Sequence, residues 1–504
     1  MADEAFKLEE ATIADIHQAF RRRVLTCRQL VQLYLDRIEM FDRKGPALNS
    51  IVTVNHNALA EADRLDELHS RAGTLTGPLH GIPVVVKDQA ETKGIVTTFG
   101  SIALDGYIPQ HDATAIARLK QAGAIVLAKS AMPDFATSWF GFSSKSGETK
   151  NPYALDRDPG GSSSGTGAAV AANLGTVGIG EDTGGSIRVP ASFNNLFGLR
   201  VTPGLISRTG MSPLVVFQDT AGPMTRTVTD AALLLDALAG YDPKDPYTSA
   251  YAIAGHTGSY SRHLDRDGLT GARIGVLTQA FGSETEEDAA QVNALVRAAI
   301  KKMEESGAEF TEIAIPNLTE RILETSLYLL HSRHDIDQFL GARPGLRYRT
   351  VGSIHAAKKY HPMLDLFEMI VQGPAHPADD PTYFRKLAAR EDFQRDVVNL
   401  LAQSGLTAMC FPCVQVLPPT KSAIKLGKWP TMAFPTNTFI ASQAWMPSMC
   451  VPVGFTSAGI PVGMELVTYP YHEPDLFRLA FAFEQVTHHR KAPEIRRPSE
   501  LSPD

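Results

Sequence analysis

Apolar residues recur at two different spacings along the chain, and the spacing changes from segment to segment. Between residues 12 and 67 they recur every three or four positions with charged residues between them, which predicts amphipathic helices. After residue 70, short apolar runs such as 84–86 and 124–128 alternate with helical stretches such as 113–122. This alternation predicts an α/β fold, with a mixed, largely parallel twisted sheet covered by helices on both faces.

The same alternation continues to about residue 315 and then changes. Further helices are predicted at 165–174, 227–239 and 288–305, and further strands at 176–180, 273–277 and 309–315. Beyond residue 318, helical segments at 321–331 and 383–401 are separated by polar, Pro-rich pieces. We therefore interpret the chain as one domain, 1–504, with four parts: an N-terminal helical arm (1–70), a sheet core (71–315), a helical insertion that shapes a substrate channel (318–401) and a C-terminal return to the core (402–504).

Composition narrows the class of protein. The chain has 504 residues, of which 43% are hydrophobic and 20% charged, and this is ample for a large core. The net charge of −7 with scattered Lys and Arg argues against a nucleic-acid partner. Residues 1–5 start no apolar signal segment, and no apolar run reaches the roughly 18 residues of a membrane span. We expect a soluble, cytoplasmic protein without a membrane partner; the sequence leaves open whether it forms a homodimer.

The four cysteines are too few for a disulfide framework in a chain of this length. Cys410 and Cys413 form a C-x-x-C motif, but a redox motif opens a helix, whereas an extended, Pro-stopped pattern follows this one. A zinc site would need a second pair of ligands, which Cys27 and Cys450 do not supply. We expect buried cysteines at a strand end, and neither a metal nor an organic cofactor.

The chemistry is concentrated between residues 160 and 200, where two clusters of glycine and serine occur. One is G-G-S-S-S-G at 160–165 and the other is G-G-S at 184–186. Glycine allows a close approach of the backbone to a ligand, and the neighbouring backbone N–H groups can point at a developing oxyanion. Serines beside such glycines predict acyl-transfer chemistry.

This stretch resembles the signature block of the amidase signature family of serine hydrolases, which uses a Ser–cis-Ser–Lys triad. The matching segments are D-T-G-G-S-I-R at 182–188 and G-I-P-V-V-V-K at 81–87, and the resemblance covers nearly the whole chain. It implies that Ser186 is the nucleophile, that Ser162, after a cis peptide bond, is the bridging serine, and that Lys87 is the general base. It further implies an oxyanion hole formed by the amides of Thr183, Gly184, Gly185 and Ser186.

The residues around this triad have supporting roles in the same interpretation. A lysine acts as a base only when it is neutral, and the apolar run 84–86 predicts that burial lowers the pKa of Lys87. Asp182 and Arg188 are expected to hold the loop of the nucleophile by a charge pair or by backbone hydrogen bonds, with Ser163 as a further support. Glu181 departs from the family, which usually has a small or hydroxyl residue at this position, and the sequence assigns it no role.

Five aromatic residues are candidate walls of the substrate pocket, because the resemblance places their segments near the channel. Ordinary core packing is an equally good interpretation of them. Their number favours an apolar or aromatic acyl group. The five are Trp139, Phe140, Phe142, Phe217 and Trp445.

The sequence thus predicts a hydrolase of linear C–N bonds that acts through a seryl acyl-enzyme. Its substrate would be a small carboxamide, anilide, carbamate or ester. A G-x-S-x-G nucleophile elbow at 161–165 is a poor alternative, because the preceding residues 154–159 are polar rather than a buried strand.

Two alternatives of other classes remain. One is the A subunit of a glutamine-dependent tRNA amidotransferase, although the family's glutaminase members usually have Gln where this chain has Val189. The other is a non-catalytic binding protein on the same fold, against which the intact Lys87, Ser162 and Ser186 argue.

Overall fold

The computed structural model describes residues 6–254 and 259–495, so the two ends of the predicted 1–504 domain, including the start used to exclude a signal segment, lie outside the described residues. The strands are β1 (Ile51–Val54), β2 (Pro83–Lys87), β3 (Ile125–Ser130), β4 (Phe142–Ser143), β5 (Gly147–Glu148), β6 (Val177–Asp182), β7 (Phe197–Arg200), β8 (Thr220–Thr225), β9 (Arg273–Leu277), β10 (Glu309–Ile313), β11 (Ala408–Pro412), β12 (Ser448–Phe455) and β13 (Pro461–Val467).

The α-helices alternate with these strands and also fill the region after β10. They are α1 (Ile13–Arg21), α2 (Cys27–Arg37), α3 (Ala58–Ala72), α4 (Thr114–Gln121), α5 (Ser164–Ala171), α6 (Arg188–Phe193), α7 (Val228–Leu238), α8 (Ser249–Ala254), α9 (Glu287–Glu305), α10 (Leu318–Thr325), α11 (Tyr328–Gly341), α12 (Val351–Ala356), α13 (Asp365–Val371), α14 (Tyr383–Gln403), α15 (Lys421–Lys425), α16 (Phe439–Gln443) and α17 (Glu473–Thr487). Among the described residues, no helix combines the length and apolar character that a membrane crossing requires.

One large mixed sheet of eleven strands, flanked by helices, organises the described chain, which confirms the predicted α/β class. Its order is β1-β3-β2-β6-β8-β7-β12-β13-β11-β9-β10. Parallel pairing is restricted to β3–β2, β2–β6, β11–β9 and β9–β10, and the remaining described pairs are antiparallel. The expectation of a largely parallel sheet was therefore wrong. An apolar run indicates a buried strand but not its direction, and short connections such as the one between β12 and β13 favour antiparallel neighbours.

Most predicted elements are confirmed within a few residues, and two differences have physical causes. The predicted helix at 321–331 is two helices, because Ser326 has an extended backbone conformation between α10 and α11. The arm 1–70 is not wholly helical, because β1 pairs with the edge of the sheet at β3. The boundaries of the four parts of the chain stay predictions.

The four cysteines are buried and free of disulfide bonds. Cys410 lies within β11 and Cys413 directly follows that strand, which confirms the expectation of buried cysteines at a strand end. Burial raises the pKa of the Cys410 thiol well above its ordinary value, so this sulfur carries little thiolate character.

Two parallel neighbours in the sheet bring the predicted chemistry together. Strand β2 ends at Lys87 and strand β6 ends at Asp182, and the two pair in parallel. Because the carboxyl ends of parallel neighbours meet at one edge, Lys87 and the loop after β6 lie side by side. Helix α5, which begins within the first Gly/Ser cluster, packs against both strands and brings that cluster to the same edge.

Close packing of α5 depends on its small residues. A Cβ atom built at Gly165 would overlap the backbone of Ser50 and of Ala131. The same backbone atoms are tied by hydrogen bonds, from Gly165 N–H to Ala131 C=O (2.9 Å) and from Ala131 N–H to Ser50 C=O (2.8 Å). The helix can therefore approach β3 only as long as residue 165 has no side chain.

We expect Gly165→Ala to lower the free energy of unfolding by about 2 kcal/mol, because the added methyl group meets backbone atoms that cannot rotate away. Chemical denaturation measures the effect. Gly352→Ala in α12 is the matched control, since its Cβ would enter nearly open space and alanine favours a helix by up to about 1 kcal/mol. Equal stability of the two variants would contradict the packing argument.

Candidate active site

Lys87 and Ser162 form the centre of the site. Lys87 Nζ lies 2.8 Å from Ser162 Oγ and 3.1 Å from the backbone carbonyl oxygen of Glu181. Both side chains are fully buried. The peptide bond between Gly161 and Ser162 is cis, as the resemblance implied.

Ser186 is linked to this pair through the neighbouring serine. Ser163 donates its backbone N–H to the Ser186 carbonyl oxygen at 3.1 Å, and the N–H of Glu181 donates to Ser163 Oγ at 3.3 Å. No direct hydrogen bond joins Ser162 to Ser186 in the described part of the chain. Ser163 thus connects the segment that contains Ser186 to the end of β6.

Ser186 lines a cavity and is 4% exposed. Thr183 and Gly184 line the same cavity, so the loop after β6 supplies one wall. The remaining wall is mostly apolar and includes Trp139, Leu214, Tyr328, Leu366, Met432 and Phe439.

The side chains around positions 184 and 185 leave no room for a Cβ atom, so both positions before Ser186 need glycine. A Cβ atom at Gly184 would overlap the hydroxyl group of Tyr328. Gly185 has φ +148°, and a Cβ atom there would overlap the side chain of Thr438. Without side chains at 184 and 185, the backbone of the loop can reach the cavity directly.

A buried ionic network anchors both ends of this loop. The Asp182 carboxylate accepts hydrogen bonds from Arg188 (3.1 and 3.0 Å), from Arg200 (3.0 Å) and from the backbone N–H of Ile187 (3.1 Å). Arg188 also donates to Glu465 at 2.6 Å. The expected contact between Asp182 and Arg188 is present, and the sequence analysis assigned no role to Arg200 or Glu465, which come from β7 and β13.

Burial opposes the ionisation of Asp182, but Arg188 and Arg200 outweigh it and hold the pKa of this carboxyl at about 2. Loss of the Arg188 proton is disfavoured as well, since the neighbouring carboxylates raise its pKa. Asp182 and Arg188 therefore form a charged pair at neutral pH.

The buried ionisable groups around Lys87 have fewer partners of opposite charge than Asp182 has, and their pKa values shift toward the neutral forms. Burial lowers the pKa of Lys87, and the charge of Glu181 opposes that shift. Burial also raises the pKa of Glu181. The pKa of Asp219 is raised by burial and, in addition, by the nearby charge of Glu181. Thr183 Oγ1 connects the two carboxyl groups, at 3.3 Å from Glu181 and 2.5 Å from Asp219.

Of the five aromatic residues predicted as pocket walls, Trp139 lines the cavity that contains Ser186. Phe217 and Trp445 line a neighbouring cleft, Phe140 lines another, and Phe142 is packed in a hydrophobic cluster. The cavity residues Tyr328 and Leu366, which the sequence did not reveal, come from the helical region after β10. Neither residue lies in a signature segment, so no motif could have identified them.

Gln218 is a further residue that the sequence analysis missed. Its amide nitrogen donates to the Thr183 carbonyl oxygen at 2.6 Å and to the Tyr328 hydroxyl at 3.1 Å. Its amide oxygen accepts from Arg390 Nη1 at 2.6 Å. The Thr183 C=O and the Gly184 N–H belong to one peptide unit, and a trans peptide directs these two groups to opposite sides. The hydrogen bond from Gln218 to the Thr183 carbonyl oxygen therefore directs the Gly184 N–H away from Gln218.

Within residues 6–254 and 259–495, no group of three or more His, Cys, Asp or Glu side chains is arranged to hold a metal ion.

Comparison with known proteins gives one family over most of the chain. A family model described as Amidase matches residues 29–477. The chain is similar to the A subunit of the glutamyl-tRNA(Gln) amidotransferase of Ralstonia pickettii (33% identity, covering 95% of this chain and 99% of that protein) and to a probable amidase of Arabidopsis thaliana (33%, 97% and 92%). The solved structure of peptide amidase from Stenotrophomonas maltophilia superimposes with a TM-score of 0.85 at 34% identity, covering 97% of this chain and 99% of that one.

We expect Asp182→Asn to lower the free energy of unfolding by about 3–5 kcal/mol, because it leaves Arg188 and Arg200 buried with one carboxylate fewer. Chemical denaturation of the purified variant measures the loss. The control is Asp63→Asn, which removes an exposed ion pair with Arg28 and should cost about 1 kcal/mol or less. A loss at position 182 no larger than at position 63 would contradict the anchoring role of the network.

Proposed function

The chain belongs to the amidase family, whose members hydrolyse C–N bonds, and from this premise we propose that it is a serine amidohydrolase with Ser186 as nucleophile, Ser162 as proton relay and Lys87 as general base. The observation that carries the proposal is the buried contact of 2.8 Å between Lys87 Nζ and Ser162 Oγ, close to a cavity that Ser186 lines. A lysine buried in this way is poised to be a neutral amine that accepts a proton.

In the proposed acylation, Ser186 Oγ bonds to the carbonyl carbon of the substrate. The hydroxyl proton of Ser186 passes to Ser162 Oγ while the proton of Ser162 passes to Lys87 Nζ. The C–N bond then breaks, and the leaving nitrogen takes up a proton returned through the same relay. Water attacks the acyl-enzyme in the second half, with the relay again removing and returning the proton.

The oxyanion of the tetrahedral intermediate would be bound by backbone N–H groups of the loop 183–186. The hydrogen bond from Gln218 to the Thr183 carbonyl oxygen supports this role of the loop, because it leaves the Gly184 N–H directed away from Gln218. The bare backbone at Gly184 and Gly185 supports it further, since donors aimed in advance at the developing charge are a large term in such catalysis.

The cavity favours a small amide with an apolar or aromatic acyl group. Its wall is mostly apolar and includes Trp139, Leu214 and Phe439. The likeness to peptide amidase supports an amide in particular. Carbamates and small esters are proposed as further substrates, because they form the same kind of acyl-enzyme. A hydrolysis screen of aryl amides, aliphatic amides, carbamates and esters tests this choice.

A second candidate function is that of the amidotransferase component named in the comparison with Ralstonia pickettii. Against it stands Val189, which is buried in α6 at the position where the glutaminase members usually have Gln. Hydrolysis restricted to glutamine, together with co-purified partner proteins, would favour the amidotransferase over the amidohydrolase.

We expect Ser186→Ala and Lys87→Ala to lower kcat by about 10⁴-fold or more, and Ser162→Ala to be severe as well, because each removes a member of one proton-transfer unit. Steady-state kinetics on an amide found by the screen measures the loss. Ser192→Ala, a buried serine in α6, is the matched control and should keep near-normal turnover. Normal kcat in a folded variant of any one of the three would remove that residue from the mechanism.

A second prediction concerns pH. Because burial lowers the pKa of Lys87, the amine is neutral above that lowered value and gains a proton as the pH falls through it. The kcat/KM profile should therefore fall on the acid side and hold a plateau at neutral to mildly alkaline pH. Lys87→Arg should not restore activity, because a guanidinium stays protonated. A profile that is flat down to about pH 4, or an active Lys87→Arg variant, would show that Lys87 is not the base.

A further inference from the structure

We propose that the side chain of Glu181 is a positioning residue for Lys87, which orients the amine toward Ser162 and, through its negative charge, sets the pH range in which the amine can accept a proton. The inference rests on the proposed function. It gives a role to the residue at which this chain departs from the signature pattern.

The first argument is the geometry of the amine. Three oxygen atoms lie around Lys87 Nζ: Ser162 Oγ at 2.8 Å, the Glu181 carbonyl oxygen at 3.1 Å and Glu181 Oε2 at 3.4 Å. A neutral amine has two N–H groups and one lone pair. With both N–H groups directed to the two oxygens of Glu181, the lone pair faces the Ser162 hydroxyl, which is the orientation that the relay requires.

The second argument is the charge. The side chains of Lys87 and Glu181 are each 1% exposed, so water screens their interaction little. Burial favours the neutral amine, whereas a carboxylate 3.4 Å away favours the ammonium form. Removal of the negative charge alone should therefore make the amine neutral down to a lower pH.

The other charged groups near this pair are accounted for by their own partners or by burial. Asp182, the next residue on β6, is bound by Arg188 and Arg200. Asp219, just before β8, is tied to Thr183, and burial favours its neutral form. Glu181 and Asp219 also line a cleft, whose other ionisable groups are Arg208 (bound to Asp245), Arg343 (bound to Glu91), His334 (beside the Ala375 carbonyl oxygen) and Asp335 (which accepts the Val216 N–H).

The test compares two substitutions that separate the two roles. Glu181→Gln removes the charge but keeps an amide oxygen that can accept the N–H of Lys87. Glu181→Ser removes the charge and also the acceptor, and it places in this chain the kind of residue that the family usually has. Asp230→Asn is the matched control, because Asp230 is a buried carboxyl that accepts the Ile13 N–H and has no contact with Lys87.

We expect the acid limb of kcat/KM to move to lower pH by about one unit or more in Glu181→Gln, since an opposite charge at this distance shifts a pKa by about 1–3 units. One unit below the midpoint of the wild-type limb, the variant should retain several-fold more of its plateau activity than wild type does. Glu181→Ser should show the same direction of shift with a lower plateau kcat, and Asp230→Asn should leave the limb in place.

An acid limb that is unmoved or moved to higher pH in Glu181→Gln would overturn the inference. Thermal unfolding monitors folding of each variant, and Glu181→Ser supplies the same shift test if the glutamine variant does not fold. The rate of labelling by a fluorophosphonate, mapped to Ser186, is measured over the same pH range. A wild-type protein that neither hydrolyses amides nor is labelled at Ser186 overturns the proposed function and the inference together, whereas a labelled wild type with an unshifted variant overturns the inference alone.

Discussion

The buried carboxylate of Asp182 is the contact on which the geometry of the site depends. It ends β6, and its two guanidinium partners come from the start of α6 and the end of β7. A buried charge is tolerated only when its partners satisfy it fully, so the contact fixes the positions of three elements at once. The loop that contains Ser186 spans the distance between Asp182 and Arg188. The two fixed ends consequently restrict the conformations that the loop between them can adopt.

Adjacent positions on one strand place two carboxyl groups in opposite environments. Consecutive side chains of a strand point to opposite faces. On one face Asp182 meets two guanidinium groups, and its pKa is held at about 2. On the other face, the buried carboxyl group of Glu181 contacts the amine of Lys87, and burial raises the pKa of this carboxyl group. Pairs of titratable groups whose environments separate their pKa values are characteristic of sites that handle protons. One strand therefore provides both a permanent charge for the scaffold and an adjustable charge beside Lys87.

The sequence predicted most of what depends on local pattern. The apolar run at 84–86 is a buried strand, and the resemblance to the amidase signature implied the neighbouring positions of Lys87 and Ser162, whose side chains are in contact. It could not predict strand direction, which short connections decide, or the break between α10 and α11 at Ser326. Most residues of the cavity wall could not be identified from the sequence either. Tyr328 is distant from the signature in sequence, and hydrophobicity alone does not distinguish a wall residue such as Trp139 from a core residue such as Phe142.

The contact between Tyr328 and Gly184 has a consequence for how such a protein can change. Tyr328 opens α11, far from position 184 in sequence, yet its hydroxyl occupies the space that a side chain at position 184 would need. The helical region after β10 therefore contacts the backbone of the loop that contains Ser186. A substitution at position 328 would change the wall of the cavity and would also release or crowd this backbone. The two segments are therefore expected to accept larger changes only when both are altered together.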